Sequence, residues 1–284
     1  MLRRLTVTQG LVSCYIPVKV KRAFKLSSCT NALQGERPMI GKATTLALVL
    51  TMALGASGAA AQGAAPDYAA VVAASDRSAA DRETDKRRDP VKLLAFTGVR
   101  TGMTVLDMGA GAGYSTELMA RAVGPTGKVY GQNGSTFARA IGLLEERSKT
   151  PAGQNITLLV RPFDDPLPPE VSNIDLVTYF FFYHDTTYLP VDRAVMNKKL
   201  YAALKPGGAL VIADHSAKAG EGITVGRTNH RIEESVLRRE VEAAGFKLVA
   251  EGNFLRQPGD PRDFNVNRPT GPIDEFVLKF EKPR

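Results

Sequence analysis

The stretch from Thr104 to Leu118, TVLDMGAGAGYSTEL, constrains this chain more than any other. A short apolar strand, Val105-Leu106, delivers Asp107 and then glycines at alternate positions, Gly109, Gly111 and Gly113. A helical pattern follows at once, Ser115 to Val123, closed by Gly124-Pro125. Strand, glycine turn and helix make the first half of a nucleotide-binding βαβ unit. The turn is tight and a ligand must come against bare backbone, which is why glycines stand there. The dinucleotide fingerprint wants a further glycine three places after the second, and Tyr114 occupies that place.

The rest of the chain repeats the alternation. Lys128–Gly131, Ile156–Val160, Ile174–Phe182 and Ala209–Ala213 are apolar runs of strand length without a polar alternate face, as expected of parallel strands buried on both sides. Helical patterns fill the gaps: Thr136–Arg147, Val191–Leu204 and the stripe Ile232, Val236, Leu237, Val241. Lys205-Pro206-Gly207-Gly208 reads as a stop and turn before the fifth strand. Phe246–Ala250 and Glu275–Phe280 are two final strands, separated by the long loop Arg256–Asp274. These lengths specify an α/β fold with a doubly wound, mostly parallel sheet. Asp89-Pro90 is a helix start, an N-cap followed by proline.

The net charge of +8 suggests a nucleic-acid footprint until its location is read. Eight of the 37 basic residues but one of the 29 acids lie in residues 1–61, so the body is close to neutral and no basic groove is expected. Within that leader, Lys42 precedes the apolar run Leu46–Leu54, and small residues end in Ala59-Ala60-Ala61. This predicts a secretory signal cleaved after Ala61, with Met1 or Met39 as the start and a periplasmic or secreted product. The run is too short to span a bilayer, so no stable membrane insertion is expected after cleavage. Cys14 and Cys29 both fall in the leader, leaving the mature chain without disulfides or thiolate ligands. Residues 62–89 read as a helical arm whose charges (Arg82, Arg87 and Arg88 among them) form a solvated face, and residues 90–284 as the domain.

The order of glycine loop, VYGQN, IDLV, LKPGGALVI and a helix ending in AAGF resembles the class I S-adenosylmethionine (SAM) dependent methyltransferases from Val91 to Lys282. Within them it looks most like a little-characterised bacterial group with secretion signals. The resemblance implies a Rossmann-like seven-stranded sheet whose last strand runs antiparallel beside the sixth. It also implies SAM as cofactor and a role for Asp107, Gly109, Gly111 and Gly113 at its methionine end. The acid that normally ends strand two is replaced by Gln132-Asn133, with Asn133 at the ribose; Asp164 or its neighbour Asp165 matches the acid that meets the adenine.

His184 and His215 lie just past strands four and five, at the edge where open α/β sheets bind ligands. They place His184, Asp185, Asp214 and His215 where a methyl acceptor would approach. His184 is expected to be the general base, oriented by Asp185 or Asp214, with His215 beside it. His230-Arg231 is read as a helix start. No metal centre is expected, although His184, Asp185, His215 and His230 carry the donor types for one. The reading is SAM-dependent methyl transfer to a small molecule, with a non-catalytic SAM-fold binding protein of the cell envelope as the alternative. Detection of S-adenosylhomocysteine on incubation with cell-envelope extracts discriminates between them.

Overall fold

The computed structural model describes residues 63–284; the leader and its cleavage site lie outside them. In chain order the elements are α1 (Tyr68–Ala73), α2 (Ala79–Arg88), α3 (Pro90–Thr97), β1 (Thr104–Met108), α4 (Tyr114–Val123) and β2 (Lys128–Asn133). Then come α5 (Ala138–Ser148), β3 (Ile156–Val160), β4 (Ile174–Phe180), α6 (Arg193–Ala203) and β5 (Leu204–His215). The last are α7 (Gly226–Asn229), α8 (Glu234–Ala243), β6 (Lys247–Gly252) and β7 (Glu275–Glu281).

The strands form one seven-stranded sheet in the order β3-β2-β1-β4-β5-β7-β6. β1 to β5 pair in parallel, whereas β7 runs antiparallel between β5 and β6. The expected architecture is therefore the observed one. Alternate strand residues feed opposite faces. Leu106, Met108, Leu210 and Ile212 pack with Leu200 of α6 and Leu237 of α8. Val105, Val211 and Ala213 pack with Leu93 of α3, Leu118 of α4 and Leu144 of α5. Helices thus cover both faces, and the order reverses between β1 and β4, where crossovers leave a crevice. Among the described residues no helix is long and apolar enough to cross a membrane.

Two local expectations change. Lys205–Gly208 is no turn outside the sheet: it belongs to β5, which starts at Leu204. Ile174 pairs with Leu204 and Leu176 with Ala209, so the extra residues bulge out, with Gly207 at φ +77°. β7 holds the bulge, because Gly207 donates to the Lys282 carbonyl and Lys282 to the Gly208 carbonyl. The arm is also more than a solvated surface. Arg77 and Asp81 are buried; Arg77 pairs with Asp85 at 2.6 Å and Asp81 with Arg147 at 2.7 Å.

Candidate functional site

β1 ends in a loop where Gly109, Gly111 and Gly113 all have positive φ, at +59°, +56° and +88°. They are not equivalent. A Cβ on Gly109 would strike the Phe182 ring at 2.8 Å and one on Gly113 would strike Leu144 at 2.7 Å, so these two are glycines for packing. On Gly111 the nearest atom would be 4.0 Å away, which leaves its face open to a ligand. The tip of β2 ties the loop down. Asn133 Oδ1 accepts from the Gly111 N–H at 2.9 Å and its Nδ2 donates to the Gly111 carbonyl at 3.0 Å. Gln132 accepts from the Gly109 N–H and donates to the Arg161 carbonyl.

Asp107 is fully buried under this loop. Its carboxylate accepts from the hydroxyls of Ser115 (2.8 Å), Thr116 (2.6 Å) and Thr178 (2.7 Å). Burial raises its pKa, and those three hydroxyls oppose the rise. The acid therefore staples the first turn of α4 to β1 and β4. Gly113 begins α4 without a side-chain cap, leaving the helix N-terminus available to an anion. Asp164 is half-buried, with Oδ2 accepting from the Asp192 N–H at 3.4 Å.

Arg88, on the last turn of α2, is the residue that sequence reading placed wrongly on a solvated face. Its guanidinium lies 4.3 Å from the centroid of the Phe181 ring and 5.4 Å from that of Tyr114, the first residue of α4. Among the described residues no hydrogen bond satisfies its buried Nε. Burial, and then neighbouring Arg87, lower its pKa to about 10, so it is still a cation at neutral pH. A buried N–H donor without an acceptor is costly, and an anionic group of a ligand would relieve that cost.

At the tips of β4 and β5 the structure brings His184, Asp185, Asp214 and His215 together and adds His230. His184 Nδ1 meets Asp214 Oδ1 at 2.6 Å, and the His184 N–H donates to Asp214 Oδ2 at 2.8 Å. Burial works against the charged imidazole, but the Asp214 and Asp185 carboxylates override it and raise the His184 pKa to about 10. That environment makes His184 a cation at neutral pH, which is the wrong state for the general base expected of it. His215 is the converse. Burial drives its pKa well below the usual histidine value, so the ring is neutral. It stacks on Phe181 with ring centroids 5.2 Å apart.

Sequence reading also missed Glu275. The antiparallel register sets it opposite His215, with Oε1 3.1 Å from His215 Nδ1 but out of hydrogen-bond alignment. Burial raises its pKa to about 7, although Arg87 pairs with it at 2.5 Å. Arg87 and Glu275 line a cavity of about 870 Å³ between α2 and the loop that precedes β7. Both histidines at the strand tips thus adjoin carboxylates: His184 is held as a cation between Asp214 and Asp185, and His215 stays neutral beside Glu275.

The comparisons with known proteins bear on the family and the fold. Residues 100–245 match the family model described as "Methyltransferase domain". A demethylmenaquinone methyltransferase of Staphylococcus aureus is 34% identical over 125 residues, covering 44% of this chain and 48% of that protein. The chain thus spans about half the length of the curated relatives it matches. A SAM-dependent methyltransferase from Aquifex aeolicus superposes with a TM-score of 0.52 at 20% identity, over 71% of this chain and 96% of that one. An arsenic(III) S-adenosylmethionine methyltransferase from Chlamydomonas reinhardtii gives 0.50 at 19% identity, over 78% and 75%. The glycine loop, uncapped α4 and the unpaired Nε of Arg88 among the described residues fit an adenosyl amino acid, and the chain belongs to the methyltransferase-domain family, on the fold that SAM-dependent methyltransferases share.

Proposed function

We propose that this chain transfers a methyl group from SAM to a small-molecule acceptor. The observation that carries the reading is Arg88: its buried Nε has no hydrogen-bond partner among the described residues, and it stands beside an uncapped helix N-terminus and an open glycine face. When bound, SAM supplies a methyl carbon on a sulfonium, already activated for displacement. The chain has to hold the ligand's carboxylate, place the acceptor and take its proton.

Arg88 and the first turn of α4 hold the carboxylate. Asp107 keeps that turn in place, Gly111 offers the close approach, and Asn133 fixes the loop rather than reaching outward. Asp164 stands near the start of α6, at the adenine end. The acceptor enters by the cavity beside α2 and meets Glu275, whose carboxylate takes its proton with neutral His215 alongside. His184, as a cation, and Asp185 shape the field at the strand tips and take no proton themselves. We propose further that the mature chain works outside the cytoplasm, on the strength of the signal-like leader. The partial match to a demethylmenaquinone methyltransferase makes lipid quinols a first acceptor class to assay.

The test is S-adenosylhomocysteine formation when the purified chain is incubated with SAM and fractionated cell-envelope extract. Product that depends on both, and falls with Glu275→Gln, supports the reading. SAM binding without product from any fraction leaves the non-catalytic binding protein, for which the missing acid at Asn133 speaks.

A further inference from the structure

The geometry points to a binding site for one divalent first-row transition ion, formed by His184 Nε2, Asp185 Oδ1 and His230 Nδ1. His184 Nε2 lies 3.2 Å from Asp185 Oδ1 and 3.3 Å from His230 Nδ1, and His230 Nδ1 lies 3.1 Å from the same oxygen. The three atoms form a nearly equilateral triangle. Zinc binds histidine nitrogen and carboxylate oxygen at about 2.1 Å, which puts ligand atoms about 3.4 Å apart in a tetrahedron and about 3.0 Å apart in an octahedron. The observed edges fall between those values. An ion bonded to all three would sit about 1 Å above the triangle, with its other positions open.

Hydrogen bonding alone accounts poorly for this arrangement. Two ring nitrogens face each other and both approach one oxygen, and the contact between His184 Nε2 and Asp185 Oδ1 is not aligned as a hydrogen bond. The Tyr188 hydroxyl also donates to that same Oδ1. One cation at the centre satisfies all three donor atoms at once. It would take the place of the proton on His184 Nε2.

The surroundings are those of a ligand set held in advance. Asp214 grips the far nitrogen of His184 at 2.6 Å, the carboxylate–histidine support that orients metal-bound imidazoles. His230 has a left-handed backbone, φ +53°, at the end of α7. Two anchors hold it there. The neighbouring Arg231 is fully buried on Asp260 at 2.7 Å. On the other side Gly226 brings α7 against the turn that carries His184, so closely that a Cβ would fall 2.1 Å from Thr187 Oγ1. Asp185 and His230 are half-exposed, so an ion has an entry path and its open positions can take water or an oxygen donor. Two histidines and one carboxylate suit zinc or iron(II) rather than magnesium or calcium. Ion binding is independent of the methyl-transfer reading; only a role in holding the acceptor rests on it.

The test uses the purified chain, dialysed against chelator and titrated with Co(II) and then Zn(II) in the absence of SAM. The site predicts one Co(II) per chain, visible in the ligand-field absorption and displaced by Zn(II). Asp185→Asn and His230→Ala should lose stoichiometric binding, and Asp214→Asn should weaken it about 10- to 100-fold. Circular dichroism of each variant reports folding, and the near-isosteric Asp185→Asn guards against collapse of the His230 variant. Absence of stoichiometric binding by folded wild type, or binding unchanged in folded Asp185→Asn, overturns the site and leaves a proton-sharing cluster. SAM calorimetry on the same samples separates the two readings: SAM binding without metal overturns only the ion, and metal without SAM overturns only the methyltransferase.

Discussion

The Arg88 guanidinium lies over the Phe181 ring, 4.3 Å from its centroid, and Phe181 itself holds a left-handed backbone at φ +57°. Strain in a bulky residue persists only where its surroundings enforce it. Here the Phe181 N–H donates to the Ala213 carbonyl at 2.7 Å, and the ring packs against both Arg88 and His215. This stack joins the glycine loop to the strand-tip histidines.

Arg88→Met should therefore separate stability from binding. Removing a cation whose buried Nε has no hydrogen-bond partner among the described residues is expected to leave thermal stability unchanged or raise it. Affinity for SAM should fall about 10- to 100-fold, the worth of one or two charge-assisted hydrogen bonds. Differential scanning calorimetry and titration calorimetry on the same variant check both halves.

Asp107→Ala has the opposite signature. It strands three hydroxyls under the loop, two of them buried, at a cost of about 3 kcal/mol or more in urea unfolding. SAM binding should disappear with the loop geometry, while the far edge of the sheet at β6 and β7 keeps its hydrogen-exchange protection.

Glu275 gives a pH dependence with opposed signs. Its folded pKa of about 7 lies above the ordinary carboxylate value of 4.5. Between those pH values the folded chain holds a proton that the unfolded chain has released. Its contribution to stability is therefore full below pH 4.5, is lost as pH rises to about 7, and is flat above. The change is about 3 kcal/mol. Activity should run the other way, with kcat/KM rising through about pH 7 as the carboxylate becomes a base. Denaturation and rate profiles of wild type and Glu275→Gln test this: the variant should lose both the stability slope and the rising limb.

The sheet was legible because its information is local. Apolar runs of strand length alternate with helical stripes, and the glycine loop marks the first crossover. The site was legible where it depends on strand ends, as for His184 and His215. It was obscure where residues meet through tertiary packing. Asp81, Asp85 and Arg88 share one face of α2 at spacings of four and three, a stripe that charge content disguised as solvent-facing. Glu275 reaches His215 only through the antiparallel register, and His230 reaches His184 only through the close approach at Gly226. The protonation of His184 depends on Asp214, thirty residues away along the chain and in hydrogen-bond contact in space.

Titration calorimetry of SAM into wild type and Gly111→Ala tests the central claim most directly. Among the described residues the added methyl meets no atom closer than 4.0 Å, so it intrudes on ligand space, with a backbone cost of about 1 kcal/mol. The account predicts one SAM per chain in wild type and loss of binding in the folded variant. No binding by wild type at millimolar SAM, or equal binding by both proteins, would contradict it.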